Sequence, residues 1–544
     1  MLATPVNAQV VVPPEADISR QRVAPLPLPD PKFDLRILNP EKAAQPRAVD
    51  EIEFSIARIQ VDGASVVTTT ELAAIFRPLE GRRIVLENLR TAAEQLEGLY
   101  RSRGYFLTRV FVPPQTVQND TLVVQVVEGY IGKVSASAPN KRSQTLASKM
   151  IGPVVEKRPL RLVELESPLL LLNDMPGIRA TSLIRAGAAL GSSDLEVKVE
   201  RRPTQSFVAL SSFSSDAIGP MTLSAGTSIA QPFGTTGLLD LSLSGAGERM
   251  EELQALNARY AAPVGNKGIV ASIGFVVARA APGGNISVLD VRSRTASVTG
   301  RLRLPVLRTR PHSLFLDGGL TLNRSRIKAL EQTIVDDRGT TADLALNWRQ
   351  VGWLGGDMTM RVAAVQGLVV LGANDRLAAL PSVAGFKPNF LKLTYVLQRN
   401  QPIAGQLSAG FILQGQVSQS RLMSGEQIMF GGSFIGRGYD PSQIIGDRGI
   451  GGLAELRWSI RTDRRKDQLE NLQIYVFGDM AEARTNGAPG AGATTARLAS
   501  LGVGLRALAF GRLALDGQIA SARRTVSPLI KRGERLNLTA TVLF

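Results

Sequence analysis

The stretch Glu426–Trp458, EQIMFGGSFIGRGYDPSQIIGDRGIGGLAELRW, decides how the rest of the chain is read. Glycines stand at 431, 432, 436, 438, 446 and 449, with Arg437 set between two of them. Such density supplies positive φ angles and close backbone approach, so residues 430–449 are expected to form a long folded loop. Beyond it, Ala454, Leu456, Trp458 and Ile460 fall on one side of a strand, and Glu455, Arg457 and Ser459 on the other. A strand with one apolar and one charged face, fed by a structured loop, suits a barrel wall around a polar interior.

Composition narrows the classes. The 544 residues are too many for one ordinary domain. There is no cysteine, hence no disulfide, thiolate or cysteine-built metal site. No run of about 18 uninterrupted apolar residues occurs, and Arg279 cuts the best candidate, Gly268–Ala278. A helical membrane protein is therefore disfavoured, whereas a membrane barrel stays open. The net charge of +16 is dispersed rather than clustered with aromatics, which argues against nucleic acid and for anionic lipid head groups.

From about residue 204 to Phe544 alternation dominates. Leu239, Leu241 and Leu243 interleave with Asp240, Ser242 and Ser244, and Ile269, Ala271, Ile273, Phe275 and Val277 form a second stripe. Leu314, Leu316, Leu320 and Leu322 oppose Ser313, Asp317, Thr321 and Asn323; similar stripes follow at 344–348, 391–397 and 407–413. A soluble sandwich or propeller also alternates, but no blade-length repeat is present. The last strand places Leu536, Leu538, Ala540, Val542 and terminal Phe544 on one face. The 5% aromatic content is low for the girdles of a membrane barrel.

The N-terminal part reads differently. Residues 1–8 end in Val6-Asn7-Ala8, which suits signal-peptidase cleavage without the basic and apolar regions that precede such a site. They are read as a signal-peptide remnant after a late start codon, or as a coincidental match. Residues 9–52 are punctuated by prolines at 13, 14, 25, 27, 29, 31, 40 and 46, a pattern expected to exclude helix and sheet and to give an extended linker. Only Glu15–Arg22 could form a short helix there. From Glu53 a compact unit is expected, in the order β-α-α-β-β. It has a strand to Asp62, a helix Glu71–Phe76 capped by Thr70, a helix with Leu86, Leu89, Ala93, Leu96 and Tyr100 on one face, and two further strands. Residues 129–203 repeat that order, so two consecutive units of about 75 residues form an internal repeat.

Gly436-Arg437-Gly438-Tyr439 followed by Gly446-Asp447-Arg448-Gly449 resembles the signature loop of two-partner secretion transporters, the hemolysin secretion/activation proteins of the BamA/TamA superfamily. The family loop usually reads Val-Arg-Gly-Phe/Tyr, so Gly436 departs from it at its least demanding position. The repeated units resemble POTRA domains. Gly104-Tyr105, Pro113-Pro114-Gln115 and Glu128-Gly129 fit the first of the family's pair, and Leu172-Asn173-Asp174-Met175-Pro176-Gly177 fits the second. The terminal Phe544 strand looks like the signal that delivers outer-membrane proteins to the barrel assembly machinery. Leu304-Pro305-Val306-Leu307-Arg308-Thr309-Arg310 resembles a periplasmic turn segment with a structural role at best.

The resemblance implies a membrane β-barrel of about 16 antiparallel strands (204–544) behind two small α+β POTRA domains (53–128 and 129–203). About 21 residues per strand and loop are then available, enough for strands of roughly 9–11. It implies an outer-membrane transporter that captures an unfolded partner exoprotein in the periplasm and secretes it without ATP or any cofactor. Members often carry a plug helix ahead of the POTRA pair. The alternatives are a BamA/TamA-like assembly factor and a passive porin or receptor.

No catalytic set emerges. His312, the only histidine, lies in Arg308-Thr309-Arg310-Pro311-His312-Ser313, and carboxylates do not cluster at metal-ligand spacing. Gly487-Ala488-Pro489-Gly490-Ala491-Gly492 lacks a phosphate-loop lysine and reads as a hairpin loop. In the strand from Leu472, Gln473, Tyr475, Phe477 and Asp479 share the face expected to line the lumen. Phe477-Gly478-Asp479-Met480-Ala481 resembles the family's Phe-x-Asp-x-Gly barrel motif, with Ala481 replacing the last glycine. The resemblance implies that Arg437 folds inward and pairs with Asp479.

Overall fold

The computed structural model describes residues 34–37 and 53–544, apart from 117–119, 216, 248–249, 376, 461–468, 488–491 and 527–532. Residues 1–8, the Glu15–Arg22 segment and most of the 487–492 turn lie outside the described residues.

The first small unit departs from expectation at its opening strand. Residues Glu53–Ile56 pair with Arg82–Val85, whereas Arg58–Asp62 runs parallel to Thr121–Val127 in another sheet. The break falls where the Ala57 and Arg58 amides both donate to the Asp120 carbonyl (2.9 and 3.2 Å). The helix Thr69–Phe76 is capped by Thr68, because Glu71 then sits at the third helical position and closes a capping box. The helix Leu86–Ser102 buries Leu89, Ala92, Ala93, Leu96 and Tyr100. The Tyr100 hydroxyl donates to Glu128 Oε1 (2.6 Å), and the same oxygen accepts from the Ser65 and Val66 amides. Burial, reinforced by that carboxylate, pushes the Tyr100 phenol well above its ordinary range, so it remains a donor. Gly129 follows because a Cβ there would lie 2.4 Å from Leu107 Cβ.

In the second unit the helices Lys141–Ile151 and Leu162–Asp174 pack on a sheet of Tyr130–Ser137, Ile178–Ala186 and Ser192–Arg201. A fourth strand corrects the reading of the linker. Asp34–Ile37, a proline-free tetrapeptide between Pro31 and Pro40, pairs in parallel with Thr181–Ile184 at the sheet edge. Leu35 packs against the core of this unit, and that burial favours a strand where the flanking prolines disfavour one.

Among the described residues, sixteen strands then close a barrel, each hydrogen-bonded to its antiparallel neighbours. The seam joins Gln205–Ser211 to Glu534–Leu543, in register from Phe207↔Leu543 to Ser211↔Thr539. Gln205 follows directly from the small units, so that end of the barrel and the Phe544 end lie on the same side. The alternating stripes take the expected faces. Ile273, Phe275 and Val277 are about half exposed on the outer surface, while Val276 and Ala278 are buried inside. No described helix is long and apolar enough to cross a membrane. His312 opens a strand, His312–Ala329, instead of lying between strands.

Candidate functional site

The loop between the strands Leu407–Ser418 and Arg448–Ile460 leaves the far end of the barrel and turns into the lumen. A small hairpin, Ile428–Phe430 with Ile444–Gly446, forms its stem. Ile428, Phe430, Ile435, Tyr439 and Ile444 pack on the inward faces of Leu453, Tyr475, Phe477, Ala481, Leu498 and Ala520. The loop is thus a buried layer on one side of the wall, stabilised by apolar area removed from water. Three glycines permit that approach. Cβ atoms at Gly438, Gly446 and Gly449 would meet the backbone of Ala522, Arg484 and Glu482 at 2.9, 2.6 and 2.6 Å. Gly436 is at φ +92° with Gly431 backbone 2.9 Å from where a Cβ would stand, so the family's valine does not fit this local conformation.

Arg437 is 7% exposed and points inward. Its backbone amide donates to Asp479 Oδ2 (3.2 Å), and its guanidinium lies 4.6 Å above the Phe477 ring. The side-chain ion pair expected with Asp479 is instead made with Glu455: Arg437 Nη1 is 2.7 Å from Glu455 Oε1. Register explains the difference. Phe477 lies opposite Glu455 and Asp479 opposite Leu453, so Glu455 is one inward pair deeper, about 7 Å along the strand. The loop backbone stops level with Asp479, and the long side chain crosses Phe477 to reach the deeper carboxylate.

Glu455, with a side chain only 1% exposed, collects two further cations. Arg457 Nε is 2.7 Å from Oε2, and Arg506 donates to both oxygens at 3.0 and 3.1 Å. Arg506 continues to Asp516 (2.9 Å) and stacks on Tyr475, whose hydroxyl donates to Asp516 (2.6 Å). Sequence reasoning placed Glu455 on the lumen face without singling it out. Its signal was a lone carboxylate beside Arg457 on an inward face.

The other motif residues divide into anchors and spacers. Tyr439 donates to the Arg524 carbonyl (2.6 Å) and accepts from the Arg524 amide (3.0 Å). Asp447, fully buried, accepts from the Leu422 and Asn486 amides (2.8 and 2.7 Å) and from Gln427 Nε2 (3.1 Å), tying the loop base to the segments just beyond the strands Leu407–Ser418 and Leu469–Thr485. Arg448 opens its strand opposite Arg484, and its side chain makes no hydrogen bond or ion pair among the described residues. Phe544 is 67% exposed at the seam, its amide donating to the Ser206 carbonyl (2.9 Å).

Residues 304–308 end the strand Arg292–Arg308 and only those after Arg308 form the turn; the structural role of the segment is to dock the second unit. Arg308 clasps Asp174 through Nε and Nη2 at 2.6 and 2.8 Å, with side chains 1% and 5% exposed. Arg310 reaches Glu166 at 3.0 Å, and Ala261 and Val270 of the barrel share a core with the second small unit. Gly177 and Gly268 sit at this junction, where Cβ atoms would meet Gly237 O at 2.5 Å and Leu171 at 2.8 Å. Breaking a buried pair of this kind typically costs about 3–5 kcal/mol. Asp174→Ala is therefore expected to undock the second unit, read as new protease cleavage near residues 202–205 with the barrel's heat-modifiable gel shift unchanged.

Two α/β units docked beneath a sixteen-stranded barrel, with an arginine-bearing loop fastened inside it, have the build of an outer-membrane transport barrel. The chain belongs to the haemolysin secretion/activation protein family ShlB/FhaC/HecB, whose model matches residues 191–507; a POTRA domain of ShlB type matches residues 54–129. It is 20% identical over 408 residues to the heme/hemopexin transporter protein HuxB of Haemophilus influenzae (strain 86-028NP), covering 73% of this chain and 71% of that one. It is 23% identical over 425 residues to the outer membrane transporter CdiB of Dickeya dadantii (strain 3937), covering 74% and 72%. The solved structure of CdiB from Escherichia coli superposes with a TM-score of 0.69 at 18% identity over 93% of each chain, a likeness of fold. The protein is an outer-membrane transporter of two-partner secretion with its small domains in the periplasm. The barrel end that carries Arg308 and Phe544 is therefore periplasmic, and the loop enters from outside.

Proposed function

We propose that the chain captures one large unfolded exoprotein, of hemolysin or adhesin type, and passes it through the lumen without nucleotide hydrolysis or a cofactor. In this reading residues 53–128 and 129–203 are two capture domains and 204–544 the conduit. The terminal strand ending in Phe544 addresses the chain to the barrel assembly machinery. Folding of the cargo outside supplies direction. The observation that supports capture is the edge of Ile178–Ala186, which already takes an extended segment, Asp34–Ile37, as an added strand. A client strand can use the same backbone groups by displacing it.

The reading is tested by co-expressing the chain with a very large exported protein encoded beside it, where the genome carries one. That protein is expected in the medium only when the transporter is present. A photo-crosslinker at Thr181, on the occupied edge, is expected to trap the cargo during export. If removal of the chain instead depletes unrelated outer-membrane barrels and nothing is exported, the assembly-factor reading replaces this one.

A further inference from the structure

The outer surface of the barrel carries an arginine tier that neither the loop nor the docking of the small units uses. Register sets Gln254, Arg279, Arg294 and Arg326 side by side on four neighbouring strands, near their extracellular ends. Arg279 continues the outward stripe of Ile273, Phe275 and Val277, and Arg326 the stripe of Leu320, Leu322 and Arg324. Arg324, Arg326 and Arg338 converge on one carboxylate, Asp336, at 3.4, 3.2 and 3.0 Å. Arg279 donates only to the neutral Gln254 (2.7 Å), and Arg294 has no hydrogen-bond or ion-pair partner among the described residues.

Five guanidinium groups thus stand around one carboxylate on the outer surface of the barrel, and only three of them bond to it. The tier just above is different: Arg292 meets Asp290 and Glu331 (3.0 and 2.8 Å), and Lys328 also meets Glu331 (3.5 Å). The excess positive charge is confined to the lower tier, and adjacent like charges are unfavourable until an anion joins them. Directly against this tier is an open groove of about 810 Å³, walled by Leu223, Leu243, Leu256 and Val277. The four side chains are exposed on the barrel's outer face or partly so.

We infer that this tier binds the phosphates of a phosphorylated glycolipid of the outer leaflet, with an acyl chain lying in the apolar groove. The arginine fork matches phosphate oxygens in pairs, which a lysine tier would not do. The groove distinguishes a lipid from a free anion, since inorganic phosphate has no use for it. The inference rests on the outer-membrane orientation alone, not on cargo capture or the loop lock.

The test uses the purified full chain in detergent, with lipopolysaccharide as the probe and co-elution or native mass spectrometry as the readout. Wild type is expected to retain lipopolysaccharide, and R279Q/R294Q to bind it about tenfold more weakly, the loss of charge-assisted bonds to phosphate. Lipopolysaccharide stripped of its phosphates is expected to bind wild type no better than intact lipid binds the variant. Inorganic phosphate at millimolar concentration is expected not to displace the lipid. Equal retention by wild type and variant, undiminished binding of the stripped lipid, or full displacement by phosphate would each overturn the assignment. If the double variant fails to fold, seen as loss of the heat-modifiable band, the stripped-lipid arm on wild type decides. Failure of export in the previous experiment leaves this result unaffected.

Discussion

Glu455→Ala is expected to cut export strongly, leaving a measurable residue, while the barrel stays in the membrane. The side chain is the meeting point of Arg437, Arg457 and Arg506, all within 3.1 Å. Removing it leaves three guanidinium groups facing one another, Arg437 buried and Arg457 and Arg506 partly exposed. Arg506 keeps Asp516, but among the carboxylates in contact with it Arg437 has no replacement for its side-chain pair. Loss of one partner of a buried pair costs about 3–5 kcal/mol, enough to shift a loop-in/loop-out equilibrium by two orders of magnitude or more, by the roughly 1.4 kcal/mol that each tenfold step requires. In planar bilayers the wild-type protein is expected to conduct ions through its polar lumen, and Glu455→Ala to spend more time open. Glu455→Gln, which keeps hydrogen bonding without the charge, is expected to fall between. Arg437→Lys is not expected to restore export to Arg437→Ala, because lysine cannot lay a planar face on Phe477 while reaching Glu455 and Gln518.

Deleting residues 53–128 is expected to remove export completely, again without loss of the barrel. The deletion leaves every barrel strand, the Ser206–Phe544 seam contacts and the Asp174–Arg308 clasp of the second unit in place. The first small unit is lost, together with the packing of Phe106 and Leu107 against the second. The readout is the exoprotein in the medium against the heat-modifiable band in outer-membrane fractions. Export at the wild-type level with the band intact would remove the capture role from this domain.

The barrel was legible because a period of two is hard to disguise. A one-residue slip moves a whole stripe to the wrong face, so Ile273, Phe275 and Val277 could be assigned outward from spacing alone. The Arg437 loop was legible as a loop from its glycines, and as an inward one only through resemblance. What spacing could not carry was depth. Glu455 and Asp479 both project into the lumen from adjacent strands, and their relative height follows from strand register, which no local pattern encodes. The Asp34–Ile37 strand was missed for a related reason: its partner lies 147 residues away, and local proline content pointed the other way. Asp174–Arg308 was hidden similarly: each charge lies in a motif quoted from the sequence, but nothing local links two residues 134 apart that meet at a domain junction. The +16 charge resolved into lumen pairs and the outward arginine tier only once faces were assigned.

The most direct test of the lock between loop and wall is a double-mutant cycle on export, with Arg437→Ala, Glu455→Ala, Asp479→Ala and the two doubles that contain Arg437→Ala. Because the Arg437 guanidinium bonds Glu455 while only its backbone amide meets Asp479, Arg437→Ala should couple strongly to Glu455→Ala. The account predicts that the Arg437/Glu455 double exports no worse than either single. The Arg437/Asp479 double should be worse than both of its singles, since the amide contact survives side-chain truncation at 437. Independent, multiplying losses for Arg437 and Glu455, with full coupling to Asp479 instead, would contradict it.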